Sequence, residues 1–241
     1  MLISSVDNAK IKEIKKLLNK KDRDVTGLYL VEGEHLVYEA YKEGLLKTVI
    51  VRDSYPFVLD IDTSYVTDKV LKTLSSLTTP APVIGVVKKR ESKKIGNKVM
   101  VLDNVQDPGN LGTIIRSAVA FNFDTIILSD DTVDLYNPKV VRATQGMIFK
   151  INIVIGNLVE LLTKLKNNKY EIYGTDVVSG KSIKSIEKSK KFAIIMGNEG
   201  NGISKDVKDL CSSFIYIPMN SNCESLNVAV AASIILYELS E

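Results

Sequence analysis

The stretch "KFAIIMGNEGNGISKD" (191–206) decides how the second half of the chain reads. A short apolar run ends in a turn that packs Gly197, Gly200 and Gly202 into six residues, and a polar, helix-starting segment follows. Apolar run, glycine turn and helix start together predict strand, turn, helix, the context in which backbone N–H groups often cradle a phosphate. The details exclude the two common phosphate loops. Gly197 and Gly202 have the Walker A spacing, but Ile203 stands where the lysine is needed. The glycines run G-x-x-G-x-G, the reverse of the dinucleotide-binding order, and Glu199 puts a carboxylate inside the turn, where it would repel a phosphate. Backbone groups with one acid suit a neutral or cationic ligand.

Working outward, strand and helix signals alternate, which predicts an α/β chain. Before the turn come "KVMVLDNV" (98–105) as a strand, "GNLGTIIRSAVAF" (109–121) as a helix, "TIILSD" (125–130) as a strand, "LVELLTKLKNN" (158–168) as a helix and "YEIYGTDV" (170–177) as a strand. After it come "SFIYIPM" (213–219) as a strand and "SLNVAVAASIILYEL" (225–239) as a nearly all-apolar helix, which must bury itself in a core or against another subunit. A smaller α/β unit precedes these. It starts with the helix "NAKIKEIKKLLNK" (8–20), capped by Asp7 or Asn8, and continues with "LYLVEG", "EHLVYEAYKEG", "KTVIV", "SYVTDKVLKTLSS" and "PVIGVVKK". The charged stretch "KRESKKIGNK" (89–98) separates the two. The expected division is 1–90, a linker at 91–98, and 99–241.

Composition narrows the function. The 241 residues carry a net charge of +3, too mild to demand nucleic acid, although lysines cluster near the start and in the linker. One histidine, His35, and two cysteines, Cys211 and Cys223, leave no ordinary zinc site to be expected and make serine–histidine catalysis improbable. No apolar run spans a bilayer and the start lacks a secretory signal, so a cytoplasmic protein without membrane association is expected.

Two further loops share the style of the glycine turn. "DNVQDPGNLGTIIRSAVAF" (103–121) places Asn110 at a helix mouth, where it would cap, and Arg116 about 600° further round the helix. "IPMNSNCESLNVAVAASIILYEL" (217–239) places Ser225 and Asn227 at the head of the apolar helix. With "AIIMGNEGNGIS" (193–204) these resemble, in order and separation, the three signature motifs of the SpoU, or TrmH-like, branch of the SPOUT RNA methyltransferases. The stretch "YLVEGEHLVYEA" (29–40) is similar to the L30e-like RNA-binding domain that many members carry.

The resemblance implies a mainly parallel sheet, a trefoil knot in the C-terminal domain, homodimers formed through that domain, and methyl transfer from S-adenosylmethionine to a ribose 2′-hydroxyl. The RNA would be ribosomal rather than transfer RNA; a transfer-RNA enzyme or a non-catalytic RNA-binding protein of the same fold are the alternatives. By motif position the catalytic set is Asn110, Arg116, Glu199, Ser225 and Asn227, with Arg116 orienting RNA phosphate and stabilising the developing alkoxide, because a guanidinium cannot readily accept a proton. The cofactor set is Thr175, Asp176, Met196, Gly197, Asn198, Gly200, Ile217, Met219, Ser225 and Leu226. A neutral adenosine bearing a cationic sulfonium agrees with a glycine turn that has an acid and no lysine. The chain departs from the usual pattern at Ser221 and Asn122, where members commonly have glycine.

Overall fold

The structure, a computed structural model, describes residues 2–177, 179–187 and 189–240. It divides into two compact units: Met1–Glu91 with Tyr136–Phe149, and Ser92–Leu135 with Lys150–Glu241.

The first unit is a five-stranded mixed sheet with helices. Its chain order is β1 (Leu2–Ile3), α1 (Ala9–Lys16), α2 (Lys20–Thr26), β2 (Leu28–Glu32), α3 (Glu34–Lys42), β3 (Leu46–Arg52), β4 (Thr63–Val66), α4 (Asp68–Leu74) and β5 (Val83–Lys88), and the strand order is β1-β4-β3-β5-β2. Ile11, Ile14 and Leu17 of the first helix pack with Val70, Leu71 and Leu74 of α4 over Ile50, Ile84 and Val86 of the sheet. Asn8 caps α1, its Oδ1 accepting from Lys10 N–H at 2.9 Å. The helix expected over 8–20 stops at Lys16 and a second one starts at Lys20; buried Arg23 reaches back from α2 and donates to the carbonyls of Leu17 and Leu18 at 2.9 and 2.8 Å, closing the turn between them.

The second unit is a seven-stranded sheet, parallel throughout. It comprises β6 (Lys98–Leu102), α5 (Pro108–Ala120), β7 (Thr125–Leu128), β8 (Asn152–Ile155), α7 (Leu158–Asn167), β9 (Glu171–Thr175), β10 (Lys181–Ser182), β11 (Phe192–Met196), α8 (Lys205–Lys208), β12 (Ser213–Tyr216) and α9 (Val228–Glu238). Its order is β10-β12-β9-β11-β6-β7-β8. Parallel strands covered on both faces need apolar side chains on both, which is why "KVMVL", "TIIL" and "FAIIM" are continuous apolar runs rather than alternating ones. Val99, Val101, Ala193 and Ile195 pack with Leu158, Leu162 and Leu165 of α7, while Met100, Leu102 and Ile194 between them point to the opposite face and are equally buried. α5 and α9 run side by side in the same direction: Asn110 meets Asn227, Ser117 Oγ meets Ser233 Oγ at 2.7 Å, and the rings of Phe121 and Tyr237 meet edge on at 5.5 Å.

The expected linker is built into this second unit from Ser92 onward. Asp124 accepts from the N–H groups of Asn97 and Lys98, both at 2.8 Å, Asn152 Oδ1 accepts from Lys93 N–H at 2.7 Å, and the Tyr170 hydroxyl donates to Gly96 O at 2.8 Å. The expected uninterrupted range 99–241 is broken by the segment Tyr136–Phe149, which carries α6 (Pro138–Ala143) and packs in the first unit. There Glu32, whose side chain is 3% exposed, accepts from Ser75 Oγ, from Ser76 N–H and Oγ at 3.0 and 2.6 Å, and from Arg142 Nη1 at 3.3 Å. His35 Nε2 donates to Gln145 O at 3.2 Å, which gives the lone histidine a structural contact, and the Tyr136 ring lies 4.6 Å from that of Tyr29. Among the described residues no helix is long and apolar enough to cross a membrane, and no group of His, Cys, Asp and Glu is placed to hold a metal ion.

The Glu32 cluster sets the first measurable expectation. Glu32→Ala removes the shared acceptor and leaves several donors unmet, so it should destabilise the first unit by about 3 kcal/mol. Arg142→Ala leaves Glu32 its two serines and should cost about 1 kcal/mol. Hydrogen–deuterium exchange should show lost protection over 136–149 in both, and more in Glu32→Ala.

Candidate active site

The three motifs come together through one chain of hydrogen bonds. At the head of α5 Asp107 is the cap: its Oδ1 accepts from Asn110 N–H at 2.8 Å, and Pro108 occupies the first turn, where no N–H is needed. The capping role expected of Asn110 is therefore filled by Asp107, and the Asn110 side chain is released for other contacts. Its Nδ2 donates to Glu199 Oε1 at 3.0 Å, and its Oδ1 accepts from Asn227 Nδ2 at 3.0 Å. Asn227 caps α9, its Oδ1 accepting from the N–H groups of Ala229 and Val230 at 2.9 and 3.2 Å. Each amide has only one possible orientation. A carboxylate only accepts, so Asn110 must turn its NH₂ to Glu199. The head of α9 only donates, so Asn227 must turn its oxygen there and its NH₂ to Asn110.

Glu199 also accepts from the main-chain N–H groups of Gln106 at 3.2 Å and Asp107 at 3.3 Å. Partial burial pushes its carboxyl pKa up, but the hydrogen bonds from Asn110 and from the N–H groups of Glu199 itself, Gln106 and Asp107 outweigh this and hold it below the ordinary value. The acid that sat oddly in the glycine turn is the acceptor at the end of the chain.

The turn itself is closed by its own groups. Asn198 and Gly202 exchange N–H to carbonyl bonds at 2.9 Å, and Asn198 Oδ1 accepts from Gly200 and Asn201 N–H, both at 3.0 Å. Asn198 Nδ2 donates to Asn104 O at 2.8 Å, tying the turn to motif one. The N–H groups of Gly200, Asn201 and Gly202 are thus already engaged, which agrees with the exclusion of a phosphate cradle. Glycine is required at 197 because a Cβ there would lie 2.2 Å from the carbonyl carbon of Gly202.

A cavity of about 640 Å³ opens beside this network, where the segments leaving β9, β11 and β12 converge. Thr175 and Asp176 line it after β9, and they are held in place by Thr175 Oγ1 donating to Ile195 O at 2.8 Å and Asp176 N–H donating to Ile215 O at 3.0 Å. Met196, Gly197, Asn198, Glu199 and Gly200 line it after β11; Ile217, Met219, Ser225, Leu226 and Asn227 line it after β12. Every residue singled out for a cofactor lies on this wall. Of the candidate catalytic residues, Glu199, Ser225 and Asn227 lie on it as well, and Asn110 is bonded to two of them. Arg116 is apart: it is exposed on α5, it is not among the lining residues, and it makes no hydrogen bond or ion pair among the described residues.

Some site residues carried no signal that separated them from core or loop. Ile203, Ile215, Ala231 and Ile235 line the cavity but look like ordinary packing. Asp103 is 6% exposed; its N–H donates to Met196 O at 2.9 Å and its Oδ2 accepts from Ser204 N–H at 2.7 Å, so it pins both ends of the glycine turn. Asn104 adopts φ +60° beside it, a conformation asparagine tolerates better than most residues. A polar pair closing an apolar strand was the available clue.

A parallel sheet whose strand-end loops gather a cavity of about 640 Å³, with these motifs around it, defines a class. The SpoU rRNA Methylase family profile matches residues 97–237, and the MRM3-like substrate binding domain profile matches residues 8–85. The chain belongs to the SpoU rRNA methylase family. Among individual relatives it is 39% identical to the 23S rRNA (guanosine(2553)-2′-O)-methyltransferase RlmP of Bacillus subtilis, over 98% of each chain. It superposes on the AdoMet-bound rRNA methyltransferase of Sinorhizobium meliloti with a TM-score of 0.87 and 30% identity, covering 99% of this chain and 97% of the other. It also superposes on the AdoMet-bound SpoU methyltransferase AviRb of Streptomyces viridochromogenes with a TM-score of 0.86 and 26% identity, covering 97% of each.

The lowered Glu199 pKa has a definite sign. Stability from its ionised form is fully present above the ordinary carboxyl value of 4.5 and is lost as pH falls through the lower folded value. Acid titration of stability should therefore fall less steeply below about pH 4.5 in Glu199→Gln than in the wild type. Superimposable acid limbs for the two proteins would remove Glu199 as an ionised anchor.

Proposed function

We propose that the protein transfers a methyl group from S-adenosylmethionine to a ribose 2′-hydroxyl of 23S ribosomal RNA, on a guanosine, in the cytoplasm. The observation that carries this reading is the hydrogen-bonded chain Asn227–Asn110–Glu199, which joins three loops beside the cavity. The choice of RNA and of position rests on the relative that is 39% identical along the whole chain.

The cavity fits the cofactor. Its volume lies in the range of small-ligand pockets. Ile217, Met219 and Leu226 offer apolar surface to an adenine ring, while the loop backbones offer hydrogen bonds. No lysine stands in the glycine turn, and the two acids on the wall, Glu199 and Asp176, outnumber its one lysine, Lys208, which favours a cation. When bound, S-adenosylmethionine supplies a methyl group on a sulfonium, already a good leaving group.

Positioning of the hydroxyl is then the main task of the protein. Glu199 and Asn227 fix Asn110 from both sides, so that the heads of α5 and α9 keep a constant separation at the cavity mouth. Ser225 and Asn227 line that mouth and are placed to hold the target nucleoside. Arg116, exposed, outside the cavity lining and without a protein partner among the described residues, is available to RNA phosphate; it stabilises the oxygen that becomes negative as its proton passes to water only where bound RNA spans from the cavity to this part of α5. The first unit, which matches a substrate-binding domain, engages the RNA. A second copy of the chain covers α9: its Ala229, Ala232, Ile235 and Leu236 are buried, whereas Val230, Ile234 and Tyr237 stand 49%, 39% and 65% exposed.

The functional test is transfer of radiolabelled methyl from S-adenosylmethionine to ribosomal RNA from cells lacking the gene, with the modified nucleotide mapped. Arg116→Ala should reduce turnover at least about a hundredfold with cofactor affinity kept. Wild-type turnover in that variant would take Arg116 out of the mechanism. For the dimer, sedimentation velocity should show two copies in the wild type and one in Ile234→Lys/Tyr237→Lys; a monomeric wild type would remove the second copy.

A further inference from the structure

Two of the groups that hold Glu199 are main-chain N–H groups, of Gln106 and Asp107. A main-chain N–H points where its own loop directs it, so something must hold the loop 103–107. Asn104 turns the chain through a left-handed residue, its N–H donating to Ser129 Oγ at 2.9 Å. Val133 N–H donates to Val105 O at 3.0 Å, so the turn at 129–133 backs the loop. The Gln106 side chain closes the arrangement. Its Nε2 donates to Asn104 Oδ1 and to Asp131 O, the latter at 2.6 Å. Both protons of the amide are therefore used, one within the loop and one across to the turn behind it.

We propose that Gln106 is a positioning residue for the methyl-transfer site: its side-chain amide holds the motif-one loop so that the N–H groups of Gln106 and Asp107 meet the Glu199 carboxylate. Its catalytic consequence rests on the function proposed above; the positioning of Glu199 does not. The chemistry at the contact is specific. The Asp131 main-chain carbonyl can only accept, so the residue at 106 must donate to it and be long enough to reach the neighbouring turn, while the Asn104 amide can turn either end to meet it. Methionine keeps the length without donors. Glutamate keeps the length but presents an acceptor to the Asp131 carbonyl.

The experiment uses the full chain with ¹³C-labelled glutamate carboxyls, the Glu199 signal being assigned by its loss in Glu199→Gln. In Gln106→Met the Glu199 midpoint should rise by about half a unit, because two of its donors drift away. In Gln106→Glu it should rise further, since a second carboxylate is added and the loop is pushed off. Asn104→Gly, which keeps the left-handed turn but removes the Oδ1 acceptor, should give a smaller rise in the same direction. Single-turnover methylation should fall about tenfold in Gln106→Met with cofactor affinity within about twofold of wild type. A side chain that merely packs would make Gln106→Glu and Gln106→Met equally mild and leave the midpoint where it is, and an unmoved midpoint in folded variants overturns the proposal. Should Gln106→Met fail to fold, Asn104→Gly decides by the same midpoint. A wild type that methylates no RNA defeats the functional reading, while the Glu199 titration still decides the role of Gln106.

Discussion

A carboxylate that can only accept hydrogen bonds sets the polarity of the whole site. Glu199 stands at one end of the chain of amides and the donor-rich head of α9 at the other, and each asparagine between them has one orientation available. Charge at one terminus and helix geometry at the other thus define the relative placement of three loops that are 80 or more residues apart in pairs involving motif one. None of these contacts is individually strong, and Glu199 is open to solvent. What they supply is direction: hydrogen bonds are worth little net in water but restrict geometry sharply.

That direction would be useless without a rigid frame. The frame is the parallel sheet, in which β11 lies between β9 and β6 with all five of its side chains buried. Parallel strands send their C-terminal ends to one edge, so the loops following β9, β11 and β12 emerge side by side and a crevice forms among them. The pairing of α5 with α9 in the same direction puts both helix heads at that edge too. A site for a neutral nucleoside bearing a cation follows from what is and is not free there. The glycine turn has spent its N–H groups on itself, and the one charge it exposes to the loops is negative.

Much of this was readable in the chain. Continuous apolar runs such as "FAIIM" and "KVMVL" announce covered parallel strands, and the missing lysine and the added acid of "MGNEGNG" argue against phosphate on residue chemistry alone. Other features depend on contacts distant in sequence. Nothing local says that Asp107 rather than Asn110 caps α5, because both are good caps and the choice turns on Glu199, 89 residues beyond Asn110. Nothing in "NAKIKEIKKLLNK" shows that the helix breaks there, since Arg23, which closes the turn, reaches back six residues to Leu17 from outside it. Asp103, within the strand expected over 98–105, and Gln106 carry no local sign of their roles, because their partners lie on other loops. Strand order and threading are properties of the assembled chain, and no periodicity encodes them.

The segment Tyr136–Phe149 bears on modularity. Family profiles run in two consecutive blocks, which invites treating the substrate-binding half as a cassette to be exchanged at a single junction near residue 90. The covalent path does not respect that junction: the chain leaves the first unit, builds Ser92–Leu135 of the second, returns with α6, and leaves again. A graft made at one junction would pair a new first unit with an Arg142 side chain shaped to meet Glu32 and a residue-145 carbonyl placed to meet His35. A replacement for residues 1–91 therefore keeps its packing contacts only when residues 136–149 are replaced with it.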